Sequence, residues 1–176
     1  MITFQSTEIA GVLRLEPEAK TDARGSFVRL YCPEEFAAAG VPFGPVQTSL
    51  SRNPTRHTLR GLHYQPAPHA ETKLVRVTRG RVFDVAVDLR AGSPTYRRWT
   101  AAELSADNLH ALLIPEGVAH GFLTLEPDTD VLYQISPAFQ PGHEAGVRWN
   151  DPAFAIAWPA EPALMSDRDA TYRDRG

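Results

Sequence analysis

Two blocks of the sequence bring together residue types that can move protons. Residues 59–65 read LRGLHYQ and contain His63, and residues 115–122 read PEGVAHGF and contain His120. Lys73 lies between them in a third apolar segment. Both histidines stand close to a glycine in strand-like sequence. We therefore expect strands that carry the two imidazoles and the ammonium group into a common interior.

These residue types suit the chemistry of a carbon next to a ketone. Removal of a proton there needs a base of near-neutral pKa, which histidine supplies. The developing charge on the ketone oxygen needs a cation or donor, which Lys73 can supply. Inversion of the carbon also needs an acid on the opposite face, and Tyr133 is the available phenol. Arg24 and Arg60 suit a diphosphate, because guanidinium groups make forked hydrogen bonds with phosphate oxygens.

The alternative to a reactive cavity is a structural polar network in the core. A lone inward histidine is usually a core residue with its hydrogen bonds made, and buried cations need partners. Two such histidines beside Arg60, Lys73 and Tyr133 favour a functional cavity, because a core would not enclose these cations without a reason. The other histidines stand in loop-like sequence and are expected at the surface: His57, His69, His110 and His143.

A metal centre is a second possibility for the same residues. Many cupin jelly rolls hold a metal through His-x-His, a following Glu, and a later His in Pro-x-Gly-x-x-His. The chain has the later motif at residues 115–120, but residues 63–65 read HYQ, so that Gln65 replaces the second imidazole. Glu71 stands where an acidic ligand could lie. This set is a poor zinc or iron(II) site, and the nearby Lys73 would repel the cation. We therefore expect no metal.

The segments that carry these residues are short. Fifteen prolines and twelve glycines are spread along the chain, which is typical of many short elements joined by turns. We predict an all-β sandwich or jelly roll with few helices. The best helix candidate is Pro33–Ala39, with proline at its start and Gly40 just past its end. Strands are predicted at residues 9–15, 27–31, 46–51, 58–64, 72–78, 81–89, 99–104, 111–115, 121–125 and 131–135.

Length and composition exclude several classes of protein. The 176 residues fit one domain, residues 1–176, which can bury a core without disulfides or metal. A net charge of −3 without a Lys/Arg-rich run gives no sign of nucleic-acid or membrane binding. Cys32 is the single cysteine, which fits a cytoplasmic location. We expect no signal peptide, and no apolar run approaches the roughly 20 residues of a membrane span.

From Asp22 to Asp169 the chain resembles the dTDP-4-dehydrorhamnose 3,5-epimerase family of deoxysugar biosynthesis. The resemblance rests on the two blocks, in order, with KLVRV between them at residues 73–77. It implies a cupin-type jelly roll, a homodimer, no metal or other cofactor, and a nucleotide-sugar substrate. The implied reaction inverts C3, C5 or both in a nucleoside-diphosphate 4-keto-6-deoxyhexose through an enolate.

The resemblance also implies roles for particular residues. His63 matches the family's proton acceptor, Asp169 the carboxylate that pairs with it, and Tyr133 the proton donor. Lys73 matches the lysine at the sugar ketone. The residues expected to bind substrate are Arg24, Phe27, Arg29, Gln47, Ser49, Arg60, His120, Phe139, Glu144 and Arg168, the last in place of a lysine.

Three positions depart from the family pattern at the nucleotide end. Arg29 stands where the family has a glutamate that contacts thymine, Ser49 replaces an asparagine, and Phe139 replaces a base-stacking tyrosine. The N3–H of thymine needs an acceptor, whereas arginine only donates, so a base with acceptors such as cytosine fits Arg29 better. Three alternatives therefore stay open: a different nucleotide or 4-keto sugar, an epimerase for one carbon only, and a non-catalytic protein that binds sugar nucleotides.

Overall fold

Two antiparallel sheets that pack face to face form the body of the protein. The computed structural model describes residues 1–175. The first sheet has six strands, in the spatial order β1 (Ile2–Ser6), β2 (Leu13–Pro17), β10 (Ala111–Ile114), β7 (Thr72–Arg79), β12 (Thr129–Ser136) and β5 (Gln47–Asn53). The second has five, in the order β13 (Ala145–Gly146), β6 (Leu59–Tyr64), β11 (Val118–Thr124), β8 (Arg81–Asp88) and β9 (Trp99–Ser105). A separate hairpin consists of β3 (Ala19–Asp22) and β4 (Gly25–Val28).

Two short helices accompany the strands. Helix α1 (Pro33–Ala38) starts with a proline, whose missing N–H would have no partner in a first turn, and it buries Phe36. Helix α2 (Asp167–Thr171) begins after Ser166, whose hydroxyl accepts a hydrogen bond from the Asp169 N–H. Neither of these helices, within the described residues, is long and apolar enough to cross a membrane.

The space between the sheets is filled by apolar side chains from both of them. Val75 and Val131 of the first sheet pack there against Phe122 of the second. The outer faces are covered as well, because α1 packs Phe36 onto the first sheet and the segment after β13 packs Phe154 onto the second. Strands β7 and β8 are therefore buried along most of their length.

The C-terminal segment returns to the second sheet and brings α2 next to β6. Leu164 forms a parallel bridge with Thr58, and its carbonyl accepts a hydrogen bond from the Leu59 N–H at 2.8 Å. Beyond the helix, the Arg175 guanidinium donates to the Tyr64 hydroxyl at 2.5 Å. The tail is thus tied to β6 on both sides of α2, which fixes where this short helix lies.

The all-β sandwich predicted from the sequence is confirmed, but several element boundaries are wrong. The strand predicted at residues 9–15 begins only at β2, because Gly11 adopts φ +82° within a turn. The strand predicted at residues 27–31 is β4, which ends earlier and belongs to the hairpin. Strands β1, β3 and β13 and helix α2 were not predicted, because they are short and have little apolar periodicity.

Strands β6 and β11 approach each other closely at a pair of glycines. Gly61 has φ +133°, and a Cβ atom at this position would lie 2.5 Å from the Cα of Gly121. A residue with a side chain would be strained by this backbone conformation and would also collide with the neighbouring strand. The glycines thus permit the register in which His63 lies directly opposite His120.

Candidate active site

An open cleft of about 600 Å³ lies between the two sheets. The second sheet contributes Arg60 and His63 from β6 and His120 from β11. The first contributes Lys73 from β7 and Tyr133 from β12. The structure therefore brings together five of the six residues whose chemistry the sequence singled out, and the sixth, Arg24, does not line the cleft. The cleft is also lined by Tyr64, Gln65, Glu71, Ile135, Phe139, Glu144 and Arg168.

His63 is held by a carboxylate from α2. Its Nε2 lies 2.7 Å from Oδ1 of Asp169, and Oδ2 of the same carboxylate accepts from the Gly61 N–H at 3.1 Å. Burial by itself would raise the pKa of Asp169, but hydrogen bonds with His63, Gly61 and Ser166 lower it below its ordinary value. The carboxylate is therefore ionised at neutral pH, so it fixes the imidazole ring and can stabilise its protonated form.

A second histidine–carboxylate pair lies deeper between the sheets. Nε2 of His120 is 2.8 Å from Oδ1 of Asp84, and these side chains are 3% and 0% exposed. Burial raises the pKa of Asp84, although His120 and Lys73 act in the opposite direction. The role of Asp84 was not predicted. Its signal in the sequence is an acid inside the apolar run VFDVAV of β8.

Lys73 is almost fully buried. Its Nζ lies 3.1 Å from Oε1 of Glu71 and donates to the carbonyl oxygen of His63 at 3.3 Å. Burial lowers the pKa of Lys73, while Glu71 and, more weakly, Asp84 act to raise it. Glu71, which the sequence offered as a metal ligand, is thus the ion-pair partner of the lysine.

Tyr133 projects from the sheet that faces the two histidines. Its ring meets that of His120 edge to face, with 5.8 Å between the ring centroids and 77° between the planes. Burial, and then the charge of Asp84, raise the pKa of Tyr133 far above its ordinary value, against a lowering by Arg60. The phenol therefore keeps its proton at neutral pH, as a proton donor must.

Two exposed arginines stand at the cleft. Nε of Arg60 donates to Oδ1 of Asn53 at 2.7 Å, and the buried Asn53 donates in turn to the Thr129 carbonyl at 3.1 Å. Arg168, from α2, pairs with Glu144 at 3.2 Å. Asn53 was not predicted, yet it fixes the direction of the Arg60 guanidinium. The paired Arg168 and Glu144 join α2 to the loop that follows β12.

That loop forms one rim of the cleft and is anchored by two glutamines. Nε2 of Gln65 donates to the carbonyl of Gln140 at 2.8 Å, and its Oε1 accepts from the N–H of the same residue at 3.2 Å. Oε1 of Gln47 accepts from the Phe139 N–H at 3.0 Å, and its Nε2 donates to the Ser49 hydroxyl at 3.1 Å. Gln65, at the position of the missing second histidine, therefore holds the rim that carries Phe139.

Five residues expected to bind substrate do not line the cleft of their own chain. Two of them, Gln47 and Ser49, lie on β5, where Gln47 holds the rim loop. The other three lie on or just after the β3–β4 hairpin. Arg24 and Phe27 lie on the β3–β4 hairpin, where the Arg24 side chain is 91% exposed and pairs with Asp22 at 2.7 Å. Arg29 follows the hairpin and donates to Oε1 of Glu35 at 2.9 Å. The structure of one chain thus separates Arg24, Phe27 and Arg29 from the residues expected to be catalytic.

The four remaining histidines do not line the cleft, as expected. His143 is exposed, whereas His57, His69 and His110 are half-buried rather than fully solvated. The rings of His69 and His143 stack with 3.9 Å between their centroids. Among residues 1–175, no group of three or more His, Cys, Asp or Glu side chains is placed to hold a metal ion.

The arrangement defines a class of chemistry. An imidazole supported by a carboxylate lies on one sheet, a protonated phenol lies on the other, and a buried lysine completes the lining of the cleft between them. Such a cleft can remove a proton from one face of a bound molecule and return a proton to the other. These features describe a cupin-like β-sandwich whose cleft holds groups that can transfer protons.

Comparison with known proteins identifies the family. The family model described as dTDP-4-dehydrorhamnose 3,5-epimerase matches residues 6–174. The dTDP-4-dehydrorhamnose 3,5-epimerase of Sinorhizobium fredii is 43% identical over 169 residues, which are 96% of this chain and 87% of that protein. The chain belongs to the dTDP-4-dehydrorhamnose 3,5-epimerase family.

Solved structures of related epimerases share the whole fold. The dTDP-4-dehydrorhamnose 3,5-epimerase of Bacillus anthracis, crystallised with TDP and PPi bound, has a TM-score of 0.95 at 40% identity, over 99% of each chain. A 3′-monoepimerase from Streptomyces bikiniensis in complex with dTDP-quinovose has a TM-score of 0.89 at 34% identity, over 96% of this chain and 85% of that one. The predicted cupin-type fold is therefore confirmed. Similar structures include both a 3,5-epimerase and a monoepimerase.

The contact between Asp169 and His63 should contribute to stability in a pH-dependent way. Because the folded-state pKa of Asp169 is lowered, its ionised form stabilises the fold above the unfolded pKa of about 3.9. Asp169→Asn is expected to lower the free energy of unfolding by about 1.5–3 kcal/mol at pH 7. The difference from wild type should shrink as pH falls through the folded-state pKa.

Urea denaturation at pH 7 and at acidic pH measures both effects. Asp167→Asn is the matched control, because Asp167 lies in the same helix but is exposed. An equal loss in this control, or a difference that stays constant with pH, would contradict a specific contribution from the ionised Asp169.

Proposed function

We propose that this protein inverts a carbon next to the ketone of a nucleoside-diphosphate 4-keto-6-deoxyhexose. The observation that carries the proposal is the placement of His63 and Tyr133 on facing sheets, with the cleft between them. A sugar ring in this cleft has one face toward the imidazole and the other toward the phenol. Removal of a proton on one face and its return on the other inverts the carbon. Membership of the family supports the same reaction.

In the proposed mechanism His63 is the base. Its Nε2 is hydrogen-bonded to the Asp169 carboxylate. Its other ring nitrogen, Nδ1, therefore takes the proton from C3 or C5 of the sugar. The electron pair of the broken C–H bond forms a double bond to C4, and the C4 carbonyl becomes an enolate. The Asp169 carboxylate stabilises the imidazolium that results.

Tyr133 then completes the inversion from the opposite sheet. Its hydroxyl gives a proton to the same carbon on the opposite face, the enolate collapses, and the C4 carbonyl is restored. The tyrosinate and the imidazolium return to their starting states by proton exchange with solvent. During the step, the buried Lys73 ammonium lies where a preorganised cation can stabilise the enolate oxygen.

The remaining cleft residues support recognition of the nucleotide diphosphate. Arg60 and Arg168 are exposed cations at the cleft, and guanidinium groups bind phosphate oxygens through paired hydrogen bonds. Phe139 presents a ring that can stack on a base. His120 lines the cleft. Gln47 and Glu144 accept hydrogen bonds from N–H groups of the rim loop, and Ser49 accepts one from Gln47. We propose no metal or other cofactor and, with Cys32 as the single cysteine, a cytoplasmic site of action.

We also infer a homodimer in which the β3–β4 hairpin of one copy reaches the cleft of the other. The hairpin pairs with no other strand of the described chain, and Phe27 on it is 76% exposed. Leu50, on the free edge strand β5, and Val46, just before that strand, are exposed as well. Free edges and exposed apolar side chains favour association with a second chain. This exchange would deliver Arg24, Phe27 and Arg29 to a substrate.

The first test follows the substrate's hydrogen atoms in D₂O. The wild type is incubated with dTDP- and with CDP-linked 4-keto-6-deoxyglucose, and NMR reads deuterium at C3 and C5. Deuterium at one carbon or at both distinguishes a monoepimerase from a 3,5-epimerase, and the faster substrate identifies the nucleotide. His63→Ala should slow exchange by about 10²–10⁴-fold, the usual contribution of a general base.

The controls for this test separate catalysis from binding and from metal chemistry. Turnover after exhaustive chelation should equal that of the untreated protein. His57→Ala should be as active as wild type, because His57 lies outside the cleft. Exchange at a near-normal rate in His63→Ala would remove His63 as the base. A wild type that binds both nucleotide sugars but exchanges neither would be a binding protein.

Tyr133→Phe tests the acid separately from the base. The variant keeps the ring and its contact with His120 but has no proton to give. It should therefore lose epimerised product by a much larger factor than it loses wash-out of substrate hydrogen. The same NMR experiment measures both rates, and equal small losses in the two would indicate that Tyr133 only packs against its neighbours.

Mixing of two inactive variants tests the shared cleft. Arg24→Ala and His63→Ala should each be nearly inactive as purified homodimers. After subunit exchange, a mixed dimer has one cleft with both defects and one with neither, so roughly a quarter of wild-type activity should return. Sedimentation analysis provides the oligomeric state of each sample. Mixed dimers that stay inactive, or a monomeric wild type with full activity, would contradict a cleft built from two chains.

A further inference from the structure

One ion pair in the cleft joins two side chains that are both almost completely buried. Oε1 of Glu71 lies 3.1 Å from Nζ of Lys73, and the two residues are 6% and 8% exposed. The other oxygen of Glu71, Oε2, has no hydrogen-bond partner among the described residues. Both residues line the cleft. The mechanism above uses the lysine but gives the glutamate no role.

The pair arises from the strand itself. Glu71 immediately precedes β7, and Lys73 is the second residue of that strand. Successive side chains of extended chain point to opposite faces, so residues two apart share a face. Glu71 therefore points into the cleft because Lys73 does, and a carboxylate at this position meets the ammonium without help from a distant part of the fold.

A lysine in this environment needs such a partner to remain charged. Burial lowers the pKa of Lys73, and Glu71 is the largest influence that raises it again. On other elements, the His63 carbonyl of β6 accepts from the ammonium, and the charge of Asp84 from β8 acts on it. The other titratable or charged side chains that line the same cleft are Arg60, His63, His120, Tyr133, Glu144 and Arg168. Besides Glu71, Asp84 is the carboxylate whose charge raises the pKa of Lys73, and its Oδ1 is hydrogen-bonded to His120.

We propose that Glu71 is a positioning residue that keeps the Lys73 ammonium charged and fixed in the cleft toward the ketone oxygen of the sugar. The proposal rests on the proposed function, in which Lys73 stabilises an enolate. A neutral amine in its place would lack the charge that the enolate oxygen requires. Glu71 thus acts through Lys73 and sets the highest pH at which the reaction runs well.

The test is the pH dependence of the exchange reaction in Glu71→Gln. The amide keeps the shape of the side chain but removes the charge. Activity requires protonated Lys73, so it is lost as pH rises through the pKa of that residue. An opposite charge this close moves a pKa by about 1–3 units, so the basic limb of the kcat profile should move to lower pH by about that much. KM should change less than about threefold, because Glu71 is not among the residues proposed to bind the nucleotide.

Two further variants complete the design. Glu103→Gln removes an exposed ion pair with Arg81 on the outer part of the second sheet, and its profile should match that of wild type. Glu71→Asp keeps the negative charge but shortens the side chain by one carbon, so that the ammonium is held less firmly in place. The basic limb should therefore stay near its wild-type position while kcat falls. This second variant carries the test if Glu71→Gln does not fold, and an unchanged kcat in Glu71→Asp would then overturn the proposal.

The outcomes separate this inference from the proposed function. If the wild type exchanges substrate hydrogen and Glu71→Gln folds with an unshifted basic limb, Glu71 does not control the charge of Lys73 and the inference is wrong. If the wild type exchanges no hydrogen, the proposed function itself fails. A titration of ¹³C-labelled Lys73 by NMR reads the same charge without turnover. It should show a lower pKa in Glu71→Gln than in wild type.

Discussion

Compensation of charge between the sheets is the constraint on which the site depends. The interior of the sandwich is apolar for most of its length, and a lone charge there would cost several kcal/mol. Three pairs of ionisable side chains lie in or beside the cleft: His63 with Asp169, His120 with Asp84, and Lys73 with Glu71. The cleft can therefore hold cations and anions at fixed positions before a substrate arrives, which is the condition for electrostatic catalysis.

In the proposed mechanism, the two sheets also determine the direction of proton transfer. Residues on one sheet cannot reach both faces of a ring bound between the sheets, so an inversion needs contributions from each. The close approach of Gly61 and Gly121 sets β6 against β11, and the C-terminal tail brings Asp169 to His63 from 106 positions away. The proposed base and its carboxylate thus come from two distant parts of the chain, whereas Tyr133 is placed by a single strand.

The parts of the site that lie on regular strands were predictable from the sequence. Period-two alternation and flanking glycines placed His63, His120 and Lys73 on inward-facing segments, and all three line the cleft. The hydrogen-bond and ion-pair partners of these residues were harder to predict, because they depend on which strands are neighbours. Asp84 meets His120 only because β8 pairs with β11, and strand order has no local signal in one sequence. Strand β3 of the hairpin was missed for a different reason, since its exposed side chains give no apolar period.

The proposed chemistry and the proposed nucleotide recognition occupy parts of the structure with different constraints. Three of the proposed catalytic residues, His63, Lys73 and Tyr133, lie on paired strands whose register cannot slip without turning side chains to the other face. The nucleotide would meet the rim loop and the hairpin, which lie outside the two paired sheets. In one chain Arg29 is engaged by Glu35, outside the cleft. A change of base preference at Arg29 or Phe139 can therefore arise without disturbing His63, Tyr133 or their partners, whereas Ser49 lies on β5 directly opposite Tyr133. For this reason a catalytic set that matches the family is compatible with a different nucleotide.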